Sequence, residues 1–239
     1  MHIERLEISE RFRGPPRSGN GGYVCGRTAS HLPGTVAVRL HIPPPLEVQL
    51  RLESAAEEAH LFQGGTLVAA ARCAQLDVQV PPSPSREQAE HGSRSFLGFT
   101  THPFPGCFVC GPDRRHGDGL RIFPGLIDGS TTVAAPWTAD ASLADESGKV
   151  RPEFLWSALD CTGAFAILPV ADGVTAVLGE LCVTIEDSLA GGEEGLVIGW
   201  PLGATGRKRF AGSAIYAPGG RLVAAARAVW VEVPLSSWG

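Results

Sequence analysis

Residues 64–72 read Gly-Gly-Thr-Leu-Val-Ala-Ala-Ala-Arg, and residues 219–227 read Gly-Gly-Arg-Leu-Val-Ala-Ala-Ala-Arg, 155 positions later. Each copy runs on into an alternation of apolar and polar residues, which is typical of a half-buried β-strand. Two copies are too few for a solenoid of stacked repeats. The repeat therefore predicts a duplicated unit whose halves pack as a pseudo-dimer. We expect the functional site where the two halves meet.

Composition indicates an ordinary globular protein. The chain has 239 residues, of which 44% are hydrophobic, and a formal net charge of −5. With no long basic run, nucleic acid is not expected as a principal partner. No apolar stretch reaches the roughly 18–20 residues that cross a bilayer, and the N-terminus lacks the apolar core of a signal peptide, so no membrane association is expected. We expect a cytoplasmic protein with six reduced cysteines.

Periodicity and turn residues predict that each half contains a strand, a helix and several antiparallel strands. In the first half we expect a strand at 2–13, a helix at 23–32, and strands at 36–42, 46–52 and 60–80, the last broken at its Gly-Gly turn. In the second half we expect strand material at 120–135, a helix at 153–168, and strands at 176–186, 195–202 and 209–233. A segment rich in proline and serine separates the halves, which gives a first unit at 1–81, a linker at 82–105 and a second unit at 106–239.

The two predicted helices align with an offset of 131. This alignment sets Asn20-Gly21-Gly22 against Arg151-Pro152-Glu153 and sets Ala29 against Asp160. Asp160 stands among apolar residues, where a carboxylate is costly unless it is paired or functional, and where burial would raise its pKa. The other interpretation is a carboxylate bound to nearby backbone or to an arginine. A helix that starts with glycines exposes unpaired N–H groups at its positive end, although the pair could equally form a simple N-terminal turn.

Three stretches carry a family resemblance. Residues 107–112, Cys-Phe-Val-Cys-Gly-Pro, followed by Gly119-Leu120, resemble the Cys-Phe-x-Cys-Gly…Gly-Leu lead-in of thioesterase-like hotdog proteins. Residues 156–160, Trp-Ser-Ala-Leu-Asp, resemble the central helix of the phenylacetate-pathway type, and the Leu-Val-Ala repeats resemble the last hairpin of the same fold. The chain thus resembles the double-hotdog proteins of the acyl-CoA thioesterase superfamily. The resemblance implies an α+β tandem hotdog, each half a long central helix wrapped by an antiparallel β-sheet.

The resemblance also implies a composite site. In related single-hotdog dimers, the acid and the glycine N–H that reach one substrate come from opposite subunits. Carried over to this chain, Asp160 would face Gly21 and Gly22 across the pseudo-dimer interface. Asp160 would activate water or stabilise the attack, the glycine start would receive the oxyanion, and Asn20 would bond the carbonyl or orient water. One complete site per chain is expected.

Two cysteines have the spacing of a zinc knuckle. Cys107 and Cys110 lie near His102 and His116, so four ligands are conceivable. Because there is no second Cys-x-x-Cys pair, we expect no metal. The remaining buried-type cysteines are expected to be small core residues, since no histidine stands beside them; they are Cys25, Cys161 and Cys182.

The expected function is hydrolysis of an acyl-CoA or acyl-carrier thioester. No cofactor is expected beyond the coenzyme A or phosphopantetheine of the substrate, whose phosphates Arg207-Lys208-Arg209 could hold, unless they form only a solvated strand end. A non-catalytic acyl-thioester binding protein is the first alternative. A hotdog enzyme recruited to another reaction on a thioester-bound acyl chain is the second. A homodimer of double hotdogs is left open.

Overall fold

The structure, a computed structural model, describes residues 1–238. The first half of the chain contains β1 (His2–Glu7), α1 (Gly21–Ala29), β2 (Val36–Leu40), β3 (Gln49–Ser54), β4 (Glu58–Gln63) and β5 (Thr66–Cys73). Helix α2 (Arg86–Arg94) follows. The second half contains β6 (Gly125–Leu126), β7 (Val133–Thr138), α3 (Pro152–Phe165), β8 (Val174–Ile185), β9 (Glu194–Thr205), β10 (Lys208–Ala217) and β11 (Arg221–Pro234). Within these residues no helix is long and apolar enough to span a membrane.

All eleven strands belong to one antiparallel sheet. Its order is β1-β3-β4-β5-β2-β8-β11-β10-β9-β7-β6. From one edge to the centre, the first half contributes β1-β3-β4-β5-β2. From the other edge to the centre, the second half contributes β6 and then β7-β9-β10-β11-β8, so apart from β6 the two orders correspond strand for strand. The strands β2 and β8 pair in the middle, so the two halves of the sheet meet edge to edge.

The sequence repeat lies on equivalent strands, as predicted. One copy forms β5 and the other forms β11, and each strand flanks the central β2–β8 pair. Val38 of β2 pairs with Ala71, and Val183 of β8 pairs with Ala226, where the two alanines occupy the same position of the repeat. Val38 and Val183 are therefore equivalent positions.

It follows that Ala37 and Cys182, one residue away on each strand, are also equivalent. They pair directly with each other across the seam between β2 and β8. A pseudo-twofold axis that relates the two halves passes between residues at equivalent positions, and Ala37 and Cys182 are such a pair. The seam is thus symmetric in register as well as in strand order.

Even an irregularity is repeated. The β4–β5 hairpin has a β-bulge between Leu61 and Phe62, and the β10–β11 hairpin has one between Ile215 and Tyr216. Leu61 pairs with Ala69 and Ile215 pairs with the repeat-equivalent Ala224, so both bulges stand at the same place. Bulges bend and twist a strand, and here they shape both halves alike.

Helices α1 and α3 also start at equivalent positions. Gly21 and Pro152 are 131 positions apart, which is the offset of the sequence alignment. Helix α1 is capped by Asn20, whose side-chain oxygen accepts a hydrogen bond from the Tyr23 N–H at 2.9 Å. Every residue of α3 from Phe154 to Phe165 is buried.

The two helices approach each other closely because α1 has glycines on the contact face. A Cβ on Gly22 would lie 2.5 Å from both the Asp160 Cβ and the Trp156 carbonyl oxygen. A Cβ on Gly26 would lie 2.6 Å from the Glu153 Cα. These distances leave no room for a side chain, so the contact that builds the site depends on glycine.

One apolar core contains buried residues of both halves, among them Leu52 and Leu61 of the first half and Leu181 and Val197 of the second. A smaller cluster covers the opposite face of the second half. It includes Trp200 and Tyr216 and is closed by Ala89 of α2 and by the strip Leu76, Val78 and Val80.

The structure differs from the sequence prediction in several boundaries. The predicted strand at 60–80 ends at Cys73, because residues 74–80 leave the ladder and pack their alternating apolar residues on the outer face of the second half. The predicted linker contains α2, which begins with a capping box between Ser85 and Gln88. Helix α1 covers 21–29 instead of 23–32, and the first strand ends at Glu7, where a short 3₁₀ turn follows. Of the material predicted at 120–135, only two short strands form.

Candidate active site

Asp160 of the second half contacts the helix start of the first half. It lies on α3, only 2% exposed. Its Oδ2 accepts a hydrogen bond from the Gly22 N–H at 2.8 Å and another from Asn20 Nδ2 at 3.1 Å. The structure thus brings together Asp160, Asn20 and Gly22, which the sequence analysis selected from opposite halves.

The second carboxylate oxygen of Asp160 is unsatisfied. Oδ1 is buried and has no hydrogen-bond partner among residues 1–238. Burial raises the pKa of Asp160 to about 7, and the hydrogen bonds from Gly22 and Asn20 offset only part of that effect. A carboxyl group that titrates near neutral pH, with one oxygen free, is suited to proton transfer.

The backbone N–H groups at the start of α1 have different partners. The Gly22 N–H is bound by Asp160, and the Tyr23 N–H is bound by the Asn20 cap. For the Gly21 N–H, no acceptor lies in hydrogen-bonding geometry within the described chain. This free donor stands at the positive end of the helix, where negative charge is favoured.

A cavity of about 250 Å³ opens beside these groups. Its wall is mostly apolar and comes from both halves, since it includes the start of α1, the end of β2, α3, the start of β8 and the end of β11. Representative wall residues are Gly21, Leu40, Asp160, Leu178 and Trp230. An apolar cleft with a few converging polar groups is the usual form of a small-molecule site.

Cys107 and Cys110 lie in the same wall, together with a third cysteine from α3. The Sγ atoms of Cys107, Cys110 and Cys161 all lie within 4.8 Å of one another, and that of Cys107 is 3.7 Å from that of Cys161. The neighbouring thiols of Cys110 and Cys161 hold the pKa of Cys107 well below its usual value. Sequence reasoning missed Cys161, because nothing in its spacing shows that α3 packs on the 107–110 loop.

The two histidines near the cysteine loop do not join this cluster. His102 Nδ1 accepts a hydrogen bond from the Phe104 N–H at 3.0 Å, and its Nε2 lies 3.2 Å from the Cys110 carbonyl oxygen. Burial lowers the pKa of His102, so the neutral ring donates from Nε2. His116 is exposed.

The basic triplet is separate from the cavity wall. Arg207 and Lys208 are exposed at the turn between β9 and β10. Arg209 is directly across from Trp230 and forms an ion pair with Glu232, with 2.5 Å between Nη2 and Oε1. None of the three lines the cavity.

Comparison with known proteins adds the class of fold. Scans against models of protein families and against curated proteins give no match. Among solved structures, the chain is similar to the acyl-CoA thioesterase II TesB2 from Mycobacterium marinum, with a TM-score of 0.62, 12% identity, and coverage of 99% of this chain and 94% of that one. It is also similar to a tesB protein from Mycobacterium avium subspecies paratuberculosis (TM-score 0.57, 12% identity, coverage 90% and 88%).

A third similar structure is a protein with a hot dog fold from Alicyclobacillus acidocaldarius (TM-score 0.57, 10% identity, coverage 97% and 93%). The similarity extends over nearly the whole length of each pair. The chain therefore has the hotdog fold, which confirms the resemblance at the level of fold.

Proposed function

We propose that this chain hydrolyses the thioester of an acyl-CoA or of an acyl group on a carrier. The observation that carries the proposal is the state of Asp160. One oxygen is held by the start of α1, and the other is buried without a partner in the wall of a cavity between the halves. A buried polar atom without a partner is unusual and points to a bound water or substrate.

In the proposed reaction, Asp160 acts as general base toward water. The carboxylate takes a proton from a water molecule as the water oxygen bonds to the thioester carbonyl carbon. The carbon–sulfur bond then breaks, the protonated Asp160 gives its proton to the departing thiolate, and the products are a free acid and a thiol. Asn20 Nδ2 and the Gly22 N–H hold Oδ2, which leaves Oδ1 to face the water.

The oxyanion that forms on the carbonyl needs a donor. Gly22, one of the two glycines expected in this role, already donates to Asp160. We therefore assign the role to the Gly21 N–H, which has no other partner in the described chain and borders the cavity. A positioned backbone donor at a helix N-terminus stabilises such developing charge. Asn20 then acts as a positioning residue.

The proposal includes the architecture that the site requires. We propose two hotdog units, 1–81 and 106–239, joined by the segment 82–105, with the composite site at their interface. The palindromic strand order and the symmetric β2–β8 seam support this division. Because that seam uses one edge of each half, a homodimer of the double unit would pack through other surfaces. The cytoplasmic location and the phosphate contacts of Arg207, Lys208 and Arg209 stay predictions.

The test is a panel of acyl-CoA and acyl-pantetheine substrates of different chain length, with release of free thiol as the readout. We expect turnover with at least one substrate class and a rate lower by roughly 10²–10⁴-fold in protein that carries Asp160→Asn. Tight binding of an acyl thioester with no turnover by the wild-type protein would favour the binding-protein alternative. Consumption of the substrate without thiol release would favour the recruited-enzyme alternative.

A further inference from the structure

Three thiols that are far apart in the sequence meet in the cavity wall. Cys107 and Cys110 come from one loop and Cys161 from α3, and all are free and buried. Each sulfur lies within 4.8 Å of the other two, and Cys107 and Cys161 are 3.7 Å apart. An ion held tetrahedrally at a metal–sulfur distance of about 2.3 Å keeps its sulfurs about 3.8 Å apart. The three sulfurs are thus close to the spacing of a thiolate metal site.

The loop that supplies two of the sulfurs is held in place by the backbone. The Gly111 N–H donates to the Cys107 carbonyl at 3.0 Å, and the Phe108 N–H donates to the Arg13 carbonyl at 2.8 Å. A Cβ on Gly111 would lie 2.5 Å from the carbonyl oxygens of Cys107 and Pro105, so this turn requires glycine. The ligand positions are therefore set before any ion binds, and little ordering cost remains.

The surroundings leave one coordination position open. All three cysteines border the cavity, and no fourth histidine, cysteine or carboxylate within residues 1–238 comes within 4.8 Å of all three sulfurs. Asn20 Nδ2 lies 3.6 Å from the Cys161 sulfur, a donor of the kind that supports a thiolate ligand. The unpartnered Asp160 Oδ1 belongs to the same wall.

We infer that Cys107, Cys110 and Cys161 form a binding site for one thiophilic divalent ion, with the chemistry of Zn²⁺, whose fourth position faces the cavity. Binding would release to solvent the protons of those thiols that are still protonated. Three protein ligands with one open position are typical of reactive zinc sites and not of closed structural ones. The expectation of a metal-free pair rested on there being only one Cys-x-x-Cys pair, whereas the structure supplies a third thiol, that of Cys161, from outside this motif. This inference does not rest on thioester hydrolysis.

The first test is metal content. Protein purified under reducing conditions is expected to contain about one zinc ion per chain by elemental analysis. After removal of the ion with a chelator, titration with Co²⁺ should give thiolate-to-cobalt charge-transfer absorption that saturates at one ion per chain. Cys161→Ala should weaken cobalt binding by about 100-fold or more, as should Cys107→Ala, because each removes a ligand. Cys25→Ala, at a buried cysteine outside the cluster, is the matched control and should bind as the wild type does.

Several outcomes would overturn the inference. They are reduced protein without zinc and without cobalt absorption, a Cys161→Ala variant that binds with wild-type affinity, and native protein in which Cys107 is joined to another cysteine in a disulfide. If Cys161→Ala does not fold, alkylation of the wild-type protein decides instead. Mass spectrometry should find Cys107, Cys110 and Cys161 protected by Zn²⁺ and modified without it, whereas equal modification in both states contradicts the site. These readouts use no substrate, so they stand or fall separately from hydrolysis.

Discussion

The starts of α1 and α3 are equivalent in the fold but different in chemistry. At the start of α1, Asn20 caps the helix and two glycines follow, with one N–H bound to Asp160 and another free. At the start of α3, Arg151 makes no side-chain capping bond, and the next residue is Pro152, which has no N–H to offer. The start of α3 therefore lacks the N–H that Gly21 offers at the start of α1.

The positions that face these two starts differ in the same way. Asp160 faces the start of α1, whereas its equivalent in the first half is Ala29, a buried methyl group. The close approach is nevertheless kept on both sides, since Gly22 packs against Ser157 and Gly26 packs against Glu153, and these two contacts are equivalent under the offset of 131. The two halves can therefore pack in the same way while they carry different residue types at equivalent positions. One half contributes the donors and the other contributes the acid.

The largest effect should come from the acid itself. Asp160→Asn is expected to lower kcat/KM for thioester hydrolysis by roughly 10²–10⁴-fold, which is the usual contribution of a positioned general base. Ala29→Asp should restore nothing, because the helix start that it faces carries Pro152 and Glu153. Thiol release by both single variants and by the double variant is the measurement. Wild-type rates for Asp160→Asn, or activity in Ala29→Asp/Asp160→Asn, would contradict the one-site comparison.

The pH dependence of stability should separate Asp160 from its uncharged equivalent. With a pKa of about 7 in the folded protein against an ordinary 3.8, Asp160 keeps its proton in the folded state at pH values where the unfolded chain has lost it. The folded wild-type protein therefore loses stability as pH rises from about 4 to 7, by at most about 4 kcal/mol at 1.36 kcal/mol per pKa unit. Asp160→Asn lacks this loss.

The measurement is urea unfolding of wild type and Asp160→Asn at pH 4.5 and pH 7.5, in protein treated with a chelator. The free-energy difference between the two proteins should shift toward the variant at the higher pH. A difference that stays the same at both pH values would mean that the buried carboxyl titrates normally.

A smaller effect is expected from the packing of the two helix starts. Gly22→Ala forces a methyl group against the Trp156 carbonyl and Asp160, and it should lower the free energy of unfolding by roughly 1–3 kcal/mol. It should also reduce turnover, since the N–H that holds Asp160 must move. The matched control is Glu153→Ala, at the equivalent position of the other half, which removes a carboxylate 3.6 Å from Arg151 Nε but adds no atom to the contact between the helices, and it should cost less than Gly22→Ala. Equal destabilisation by the two changes would show that the helix starts are not asymmetric.

The smallest effect concerns the basic triplet, which only the second half possesses. Lys208→Ala is expected to raise KM for an acyl-CoA about two- to threefold through a loss of under about 1 kcal/mol, and to leave KM for the acyl-pantetheine unchanged, because the residue is exposed. Arg51→Ala on β3 of the first half serves as the charge-matched control. If KM stays unchanged for both substrates, the triplet does not bind the phosphates of the substrate and forms only a solvated strand end.

Much of the fold was predictable because local periodicity and one sequence repeat indicate most of its strands and helices. The repeat located β5 and β11, since side-chain pattern and turn residues act over short distances. The offset of 131 aligned the two helix starts, although α1 begins two residues and α3 one residue before the predicted start. The strand prediction failed at residues 74–80, where the alternation of Leu76, Val78 and Val80 is real but faces the outside of the second half instead of a ladder partner. The alternation of apolar and polar residues shows that one side of the segment is buried, but it does not show which surface of the protein covers that side.

The candidate site was predictable where two halves could be compared, and not where an unrelated loop enters. Asp160, Gly21 and Gly22 stood out because their equivalents differ in type. The different roles of the two glycines could not be predicted. The Gly22 N–H donates to Asp160, and this contact depends on the distance between the helices. Cys161 meets Cys107 only through the packing of a loop that has no counterpart in the alignment, so no spacing could reveal it.

The symmetric β2–β8 seam has a consequence for the origin of the single chain. With Ala37 opposite Cys182 on the axis, the register of the β2–β8 pairing is the same for two copies of one half as for one copy of each. Two first halves would combine glycine starts without an acid, and two second halves would combine acids without a glycine start. If the halves were separate chains, a fraction of them would form pairs of like halves, which lack a complete site. Covalent fusion makes the pairing of unlike halves intramolecular and keeps its effective concentration high. The peptide connection between the halves thus acts as a specificity device, which adds to the preference for the mixed pair that the glycines of α1 already create in the helix contact.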